Sequence, residues 1–229
     1  MNNAVQFINN QWLNGEGKAF TSLDPVKNTQ VWQGQSATAA QVDMAVQMAR
    51  KAQYDWAGLS FDERVAVVKK FAEQLTNNKE AMALTIASET GKALWEARTE
   101  VESVINKVEI SIRAYAERTS QRKLDNALQG TTAVRHKPHG VMAVLGPYNL
   151  PAHLPNGHIV PALLAGDTVV FKPSEETPLV GQVMAEAFAA ADLPTGVVNV
   201  VQGGRETGAA LLDAGIDALM FTGSGAAGA

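Results

Sequence analysis

Hydrophobic spacing changes character twice along the chain, and the two changes divide it into three stretches. In the first stretch Phe7-Ile8 and Trp12-Leu13 flank Asn9-Asn10, a pair that tolerates left-handed backbone, which predicts a short hairpin. Asp24-Pro25 predicts a further turn, and Val31-Trp32 a possible strand. From Thr38 the spacing becomes helical. Val42, Ala45, Val46 and Ala49 repeat at three and four residues, with Thr38 placed to cap them. Ser60-Phe61-Asp62-Glu63 fits a capping box ahead of Val65, Val68, Phe71, Ala72 and Leu75. Asn77-Asn78 breaks that helix, and Met82 and Ile86 mark a third that ends near Gly91. Trp95, Val101, Val104, Ile105, Val108, Ile112 and Tyr115 define one face of a long fourth helix. Its mixed Glu and Lys/Arg face reads as solvated surface, and the tryptophans and methionines largely as core.

Between Ser120 and His139 the pattern weakens. Thr131 to Lys137 has strand propensity without an apolar face, so it is expected to project from the body or to form a plain surface excursion. From Val141 the spacing changes again. Apolar runs at 141–145, 168–171, 197–201 and 218–222 alternate with helical segments near 154–165, 179–191 and 206–212. That alternation predicts an α/β fold: a helical N-terminal part followed by a Rossmann-like parallel sheet.

Composition narrows the function. The 229 residues are 46% hydrophobic, enough for a substantial core. A net charge of −4 without a basic run argues against a nucleic-acid partner. No signal peptide or membrane-spanning run is evident, so no membrane partner is expected and the cytoplasm is the expected location. There is no cysteine, which removes disulfides, thiolate metal sites and any thiol nucleophile from these residues. His153 and His158 are five apart and do not share one helical face, so no metal site is expected. The two rings could line an entrance for an acidic substrate tail, or be ordinary polar surface.

The stretch from Val141 to Glu175 carries the candidate chemistry. Gly146-Pro147-Tyr148-Asn149-Leu150-Pro151 follows the first strand of the alternating region, and Pro151 keeps Leu150 out of helix. Asn149 then sits beyond the strand end, either as an amide donor to a developing oxyanion or as a turn asparagine bonding its own backbone. Phe171-Lys172-Pro173-Ser174-Glu175 closes the next strand. Lys172 could donate to ribose hydroxyls and Glu175 accept from them, and the carboxylate would repel a 2′-phosphate, favouring NAD over NADP. An unremarkable surface pair is the other reading. Gly203-Gly204 with Gly208, and Gly223 with Gly225 and Gly228, follow the last two strands, as phosphate cradles or as tight turns.

Gly146-Pro-Tyr-Asn149-Leu-Pro, Phe171-Lys-Pro-Ser-Glu175 and Phe221-Thr-Gly-Ser224, in this order, resemble the N-terminal half of an NAD(P)-dependent aldehyde dehydrogenase. The resemblance runs through the 7–13 hairpin and Glu89-Thr90-Gly91-Lys92. The 153–166 and 201–208 segments, with 105–107 and 110–115, are similar to a narrower branch acting on an N-acylated glutamate semialdehyde in arginine breakdown. In most relatives a lysine stands where this chain has His158.

The resemblance implies an enzyme that oxidises an aldehyde through a cysteine thiohemiacetal, passes hydride to NAD and hydrolyses the thioester with a glutamate base. It implies Asn149 as the oxyanion amide, and Lys172 and Glu175 at the adenosine ribose. Gly223, Ser224, Gly225, Ala226, Ala227 and Gly228 would lie against the dinucleotide phosphates. Residues 1–122 and 141–229 would form a discontinuous NAD-binding domain, and 123–140 a projecting oligomerisation hairpin of a homo-oligomer. The partner would be a small aldehyde bearing acidic groups. The family's cysteine and glutamate lie beyond the Phe-Thr-Gly-Ser turn, so this chain is expected to be an N-terminal fragment, silent alone, with an uncovered sheet edge. Another aldehyde substrate, or a nucleotide-binding or interaction module without catalysis, are the rival expectations.

Overall fold

In this computed structural model, which describes residues 4–119, 122–125 and 131–228, the elements follow the predicted change of period. Strands β1 (Ala4–Ile8), β2 (Gln11–Asn14), β3 (Ala19–Asp24) and β4 (Thr29–Gln35) come first. Helices α1 (Ala39–Gly58), α2 (Phe61–Asn77), α3 (Lys79–Thr90) and α4 (Leu94–Arg118) follow, then β5 (Arg122–Asp125) and β6 (Thr131–Val134). The alternating part is β7 (Val141–Leu145), α5 (His153–Ala165), β8 (Thr168–Lys172), α6 (Pro178–Ala190), β9 (Val198–Val200), α7 (Arg205–Asp213), β10 (Ala218–Phe221) and the single turn α8 (Gly225–Gly228).

The helix starts are set by local chemistry. Thr38 accepts from the Gln41 N–H while the Gln41 side chain accepts from the Thr38 N–H, and Ser60 and Glu63 repeat this reciprocal cap on α2. Asn9 and Asn10 both turn with positive φ, 55° and 58°, as the hairpin requires.

Strands β10, β7, β8 and β9 form the expected parallel array, in that spatial order. The sheet is nevertheless mixed. The β1–β2 hairpin joins it antiparallel to β9 through Phe7 and Val200, giving six strands. Gln6, fully buried, accepts from the Gln202 N–H at 2.6 Å and donates to the Gln35 carbonyl at 2.9 Å. These side-chain bonds tie the first strand to a loop 196 residues away. Strand β3, not anticipated, pairs with β4. Its AFTSLD sequence buries only two of its residues, so it lacks the apolar run that marks a strand in sequence.

Period-two alternation sorts the sheet residues between two cores. Val141, Ala143 and Val170 face α1 and α7, packing with Val42, Ala45, Val46, Ala49 and Leu211. Met142, Val144, Val169 and Phe171 face α5 and α6 and join the larger core, which α2, α3 and α4 cover. Phe71 of α2 stacks on Phe188 of α6 there, with ring centroids 4.0 Å apart. Trp56 is buried, but Trp95 is 70% exposed and does not belong to the core face of α4. As the second residue of α4, it lies where the helix has just begun and the covering layer ends. Residues 126–130 of the anticipated hairpin lie outside the described residues; β5 and β6 pair antiparallel with each other. No helix among the described residues is long and apolar enough to cross a membrane.

Glu89, 5% exposed at the end of α3, caps α6 in place of a local side chain. Its two oxygens accept from the Leu179 and Val180 N–H groups at 3.0 and 2.8 Å, and from the Ser22 hydroxyl. Burial is the dominant influence on its pKa and lifts the carboxyl from 4.5 to about 7, while these three donors oppose the rise. The folded chain therefore holds a proton that the unfolded chain has already released over that interval. The contribution to stability is full below pH 4.5 and is lost as pH rises through about 7. Urea midpoints measured from about pH 5 to about pH 8 should fall more steeply for the native chain than for Glu89→Gln. Parallel curves would refute the assignment. In the same assay Phe71→Ala should cost about 3–5 kcal/mol, as a large cavity in the main core.

Candidate functional site

The strand ends of the parallel array line up on one edge. Leu145 is in register with Lys172 on one side and Phe221 on the other. The ladder continues past them, with the Gly146 N–H donating to the Lys172 carbonyl at 3.0 Å and the Thr222 N–H to the Leu145 carbonyl at 3.2 Å. The segments after β7, β8, β9 and β10 therefore open on a common crevice, where ligands of open α/β sheets bind.

Gly146 makes the first turn feasible by close approach. A Cβ there would lie 2.7 Å from the Pro155 ring and 3.1 Å from the Phe171 ring. Asn149, three residues on, is exposed. Its side-chain amide makes no hydrogen bond among the described residues, and its carbonyl accepts from Lys92 Nζ at 2.8 Å. The amide is thus not consumed by a local turn.

Lys92 and Glu100 hold this loop from beneath. They pair at 2.7 Å with side chains 9% and 2% exposed. The other Glu100 oxygen accepts from the N–H groups of Ala152 and His153, at 3.0 and 3.2 Å. A carboxylate at a helix N-terminus satisfies orphan donors and complements the helix dipole. The opposite end of α5 meets donors: Trp56 Nε1 gives to the Leu163 carbonyl at 3.1 Å and Arg64 Nε to that of Leu164 at 3.0 Å. Gly91, at φ 70°, ends α3 and turns the chain between Glu89 and Lys92, so both can reach inward.

Lys172 is 6% exposed and donates to the carbonyls of Pro173 and Gly203 at 2.7 and 2.8 Å, with Glu175 Oε2 at 3.4 Å. Burial pushes its ammonium below the usual lysine value, and the Glu175 charge opposes that. Glu175 remains half-exposed and leans over Gly204, where a Cβ would lie 3.6 Å from its Oε1. Gly208 lies beside the Lys172 stem at 3.8 Å in the same sense. The half-exposed Glu175 carboxylate and bare backbone at Gly204 therefore face one another beside Lys172, whose three N–H groups go to Pro173, Gly203 and Glu175. Gly223 and Gly228 lie against the Phe221 ring, and the exposed Ser224, Gly225 and Ala226 run between them at the end of β10. Of Ala227 only its place in α8 is described.

The structure thus puts Asn149, Lys172, Glu175 and the 223–228 turn on one sheet edge. Sequence reasoning assigned no role to Lys92 or Glu100; an acid and a base on either side of the helix-ending Gly91 were a signal for Lys92, and nothing local marked Glu100. His158 Nε2 lies 3.2 Å from Thr222 Oγ1, linking α5 to the segment after β10. Two concavities among the described residues lie elsewhere, one between the β3–β4 turn and α3, the other between α1 and α7.

The profile described as the aldehyde dehydrogenase family matches residues 12–229. N-succinylglutamate 5-semialdehyde dehydrogenase of Caulobacter sp. (strain K31) is 54% identical over 223 residues, which is 97% of this chain and 46% of that relative. A putative aldehyde dehydrogenase from Burkholderia cenocepacia superposes with a TM-score of 0.92 at 31% identity, over 98% of this chain and 48% of that one. NADP-dependent glyceraldehyde-3-phosphate dehydrogenase from Bacillus halodurans C-125, complexed with NADP, gives 0.90 at 30% identity, over 100% and 50%. The chain spans about half the length of each of these proteins.

Breaking the Lys92–Glu100 pair strands one buried charge, a loss of about 3–5 kcal/mol. Glu100→Ala should lower the urea midpoint accordingly, and should speed hydrogen exchange at the Ala152 and His153 amides beyond exchange elsewhere in α5. Uniform acceleration across the helix would show that the carboxylate stabilises without positioning.

Proposed function

The chain belongs to the aldehyde dehydrogenase family, and from that premise we propose that it is the NAD-binding part of a dehydrogenase for N-succinylglutamate 5-semialdehyde. The observation that carries the reading is the Asn149 side chain, exposed at the crevice with its amide unspent while its backbone is fixed by Lys92. A preorganised amide donor stabilises the negative charge that develops on a carbonyl oxygen under attack, a contribution of about 3–4 kcal/mol in comparable sites.

NAD supplies the hydride acceptor when bound. Lys172 and Glu175 would hold its adenosine ribose, and the turn of Gly223, Ser224, Gly225, Ala226, Ala227 and Gly228 would lie along its phosphates. The half-exposed Glu175 carboxylate supports NAD rather than NADP, because a 2′-phosphate would meet like charge. The 54% identity to a succinylglutamate semialdehyde enzyme supports the substrate. Its oxidation product would be N-succinylglutamate, as in arginine catabolism. We further assign the β5–β6 ribbon, whose Val134 is 44% exposed, to assembly with other copies of the protein in the cytoplasm.

These 229 residues contain no thiol, so the nucleophile of the family is not among them. The purified chain with NAD and the semialdehyde should form no reduced nicotinamide above a protein-free control. Calorimetry should detect NAD binding, weakened about tenfold or more by Lys172→Met, since charge-assisted hydrogen bonds contribute on that scale. Glu175→Gln should narrow the preference for NAD over NADP. Turnover without a thiol, or NADP bound as tightly as NAD, would refute the corresponding part of the reading.

A further inference from the structure

Helices α4 and α5 pack along their length, and Asn156 Nδ2 donates to the Val104 carbonyl at 2.9 Å between them. One side of this seam is cationic and unmatched. Other lysines near α4 are matched by its acids: Lys69 with Glu109, Lys79 with Glu102, and Lys92 with Glu100. Lys107 is half-buried yet forms no ion pair or hydrogen bond among the described residues.

Lys107 reaches across to Gly157. A Cβ at Gly157 would lie 3.4 Å from the lysine Cε and 3.8 Å from Nζ, in ordinary contact, so the ammonium sits over the α5 backbone. His153 stands one turn earlier on the same face of α5, about 6 Å along the axis. Its Nδ1 is buried and has no hydrogen-bond partner. His158 follows Gly157, its Nε2 beside Thr222.

Burial lowers the pKa of both rings, and the Lys107 charge lowers them further; Glu100 opposes the shift at His153. The seam therefore presents one ammonium and two imidazoles inclined to the neutral form, which can hydrogen-bond without adding mutual repulsion. Glu100, the acid near His153, is already committed to Lys92 and two backbone N–H groups. A half-buried ammonium beside an unsatisfied ring nitrogen is complementary to a carboxylate.

We infer that Lys107, His153 and His158 form a carboxylate-binding subsite that receives the acidic tail of the aldehyde. The inference rests on the functional reading above for the other end of the ligand, the carbonyl at Asn149. His153 lies four residues beyond Asn149, so an aldehyde facing the amide would extend its chain along α5 toward the cation.

The test is titration of the chain with succinate and with N-acetylglutamate at constant ionic strength, following the ring C–H resonances of His153 and His158. Both should shift saturably. Lys107→Met should weaken binding about tenfold or more, as expected for removal of a charge-assisted contact. Lys51→Met, on exposed α1, should leave it unchanged. Inorganic phosphate at matched ionic strength should compete poorly; equal or tighter phosphate binding would overturn the carboxylate assignment. Absence of saturation, or an unchanged affinity in Lys107→Met, would overturn the subsite. NAD affinity measured on Lys107→Met should match the native chain, which separates loss of the subsite from loss of fold. If NAD fails to bind while succinate still saturates, the dinucleotide reading falls and the subsite stands.

Discussion

Helix α5 is gripped at both ends by side chains from the helical layer, and the position of the crevice depends on that grip. Glu100 takes the free N–H groups at its start, while Trp56 and Arg64 give to the Leu163 and Leu164 carbonyls at its close. Each contact satisfies backbone groups that a buried helix end would otherwise leave unpaired. Their polarity also matches the helix dipole. Because α5 begins just after the Asn149 loop, fixing its first turn fixes that loop. Lys92 completes the arrangement by bonding both the carboxylate and the Asn149 carbonyl. The exposed Asn149 side chain is thus positioned by a buried ion pair acting on its backbone rather than by bonds of its own.

The four residues Glu89-Thr90-Gly91-Lys92 connect the two halves of this framework. Glu89 turns back to cap α6, and Lys92 turns forward to Glu100, with the left-handed Gly91 between them. Two buried ionisable groups flanking a turn are costly to desolvate unless every polar atom is met. Here Glu89 has three donors and Lys92 two acceptors. The cluster therefore relates α3, α4, α5 and α6 by polar geometry in a region whose packing is otherwise apolar and less directional.

Much of this was legible in the sequence. The change from helical spacing to alternation at Val141 placed β7 to β10 and α5 to α7 but not α8, because a buried parallel strand needs a continuous apolar run. Thr38, Ser60 and the Asn9-Asn10 pair were readable because caps and turns are local chemistry. Strand β3 was not readable, since its faces are mostly exposed and its pairing with β4 supplies the order. Joining the hairpin to β9 was equally hidden, for it depends on Gln6 meeting a loop at the far end of the chain. Asn149, Lys172 and Glu175 were singled out by motifs at strand ends, and the structure places them along one sheet edge. Lys92, Glu100 and Lys107 were missed because their meaning arises from which helices pack together. Trp95 was misplaced because helical spacing alone does not say where the covering layer stops.

The hairpin that completes the sheet also constrains how the chain can fold. Strand β1 is made long before its partner β9, and the Gln202 backbone that Gln6 bonds lies 196 residues further on. Until they emerge, Val5, Phe7 and Ile8 have no sheet to enter, although each is almost wholly buried in the finished fold. The helices α1 to α4 can form from local contacts meanwhile, but closing a loop of this length is the slow kind of step. The wait for β9 is spent with an apolar strand uncovered.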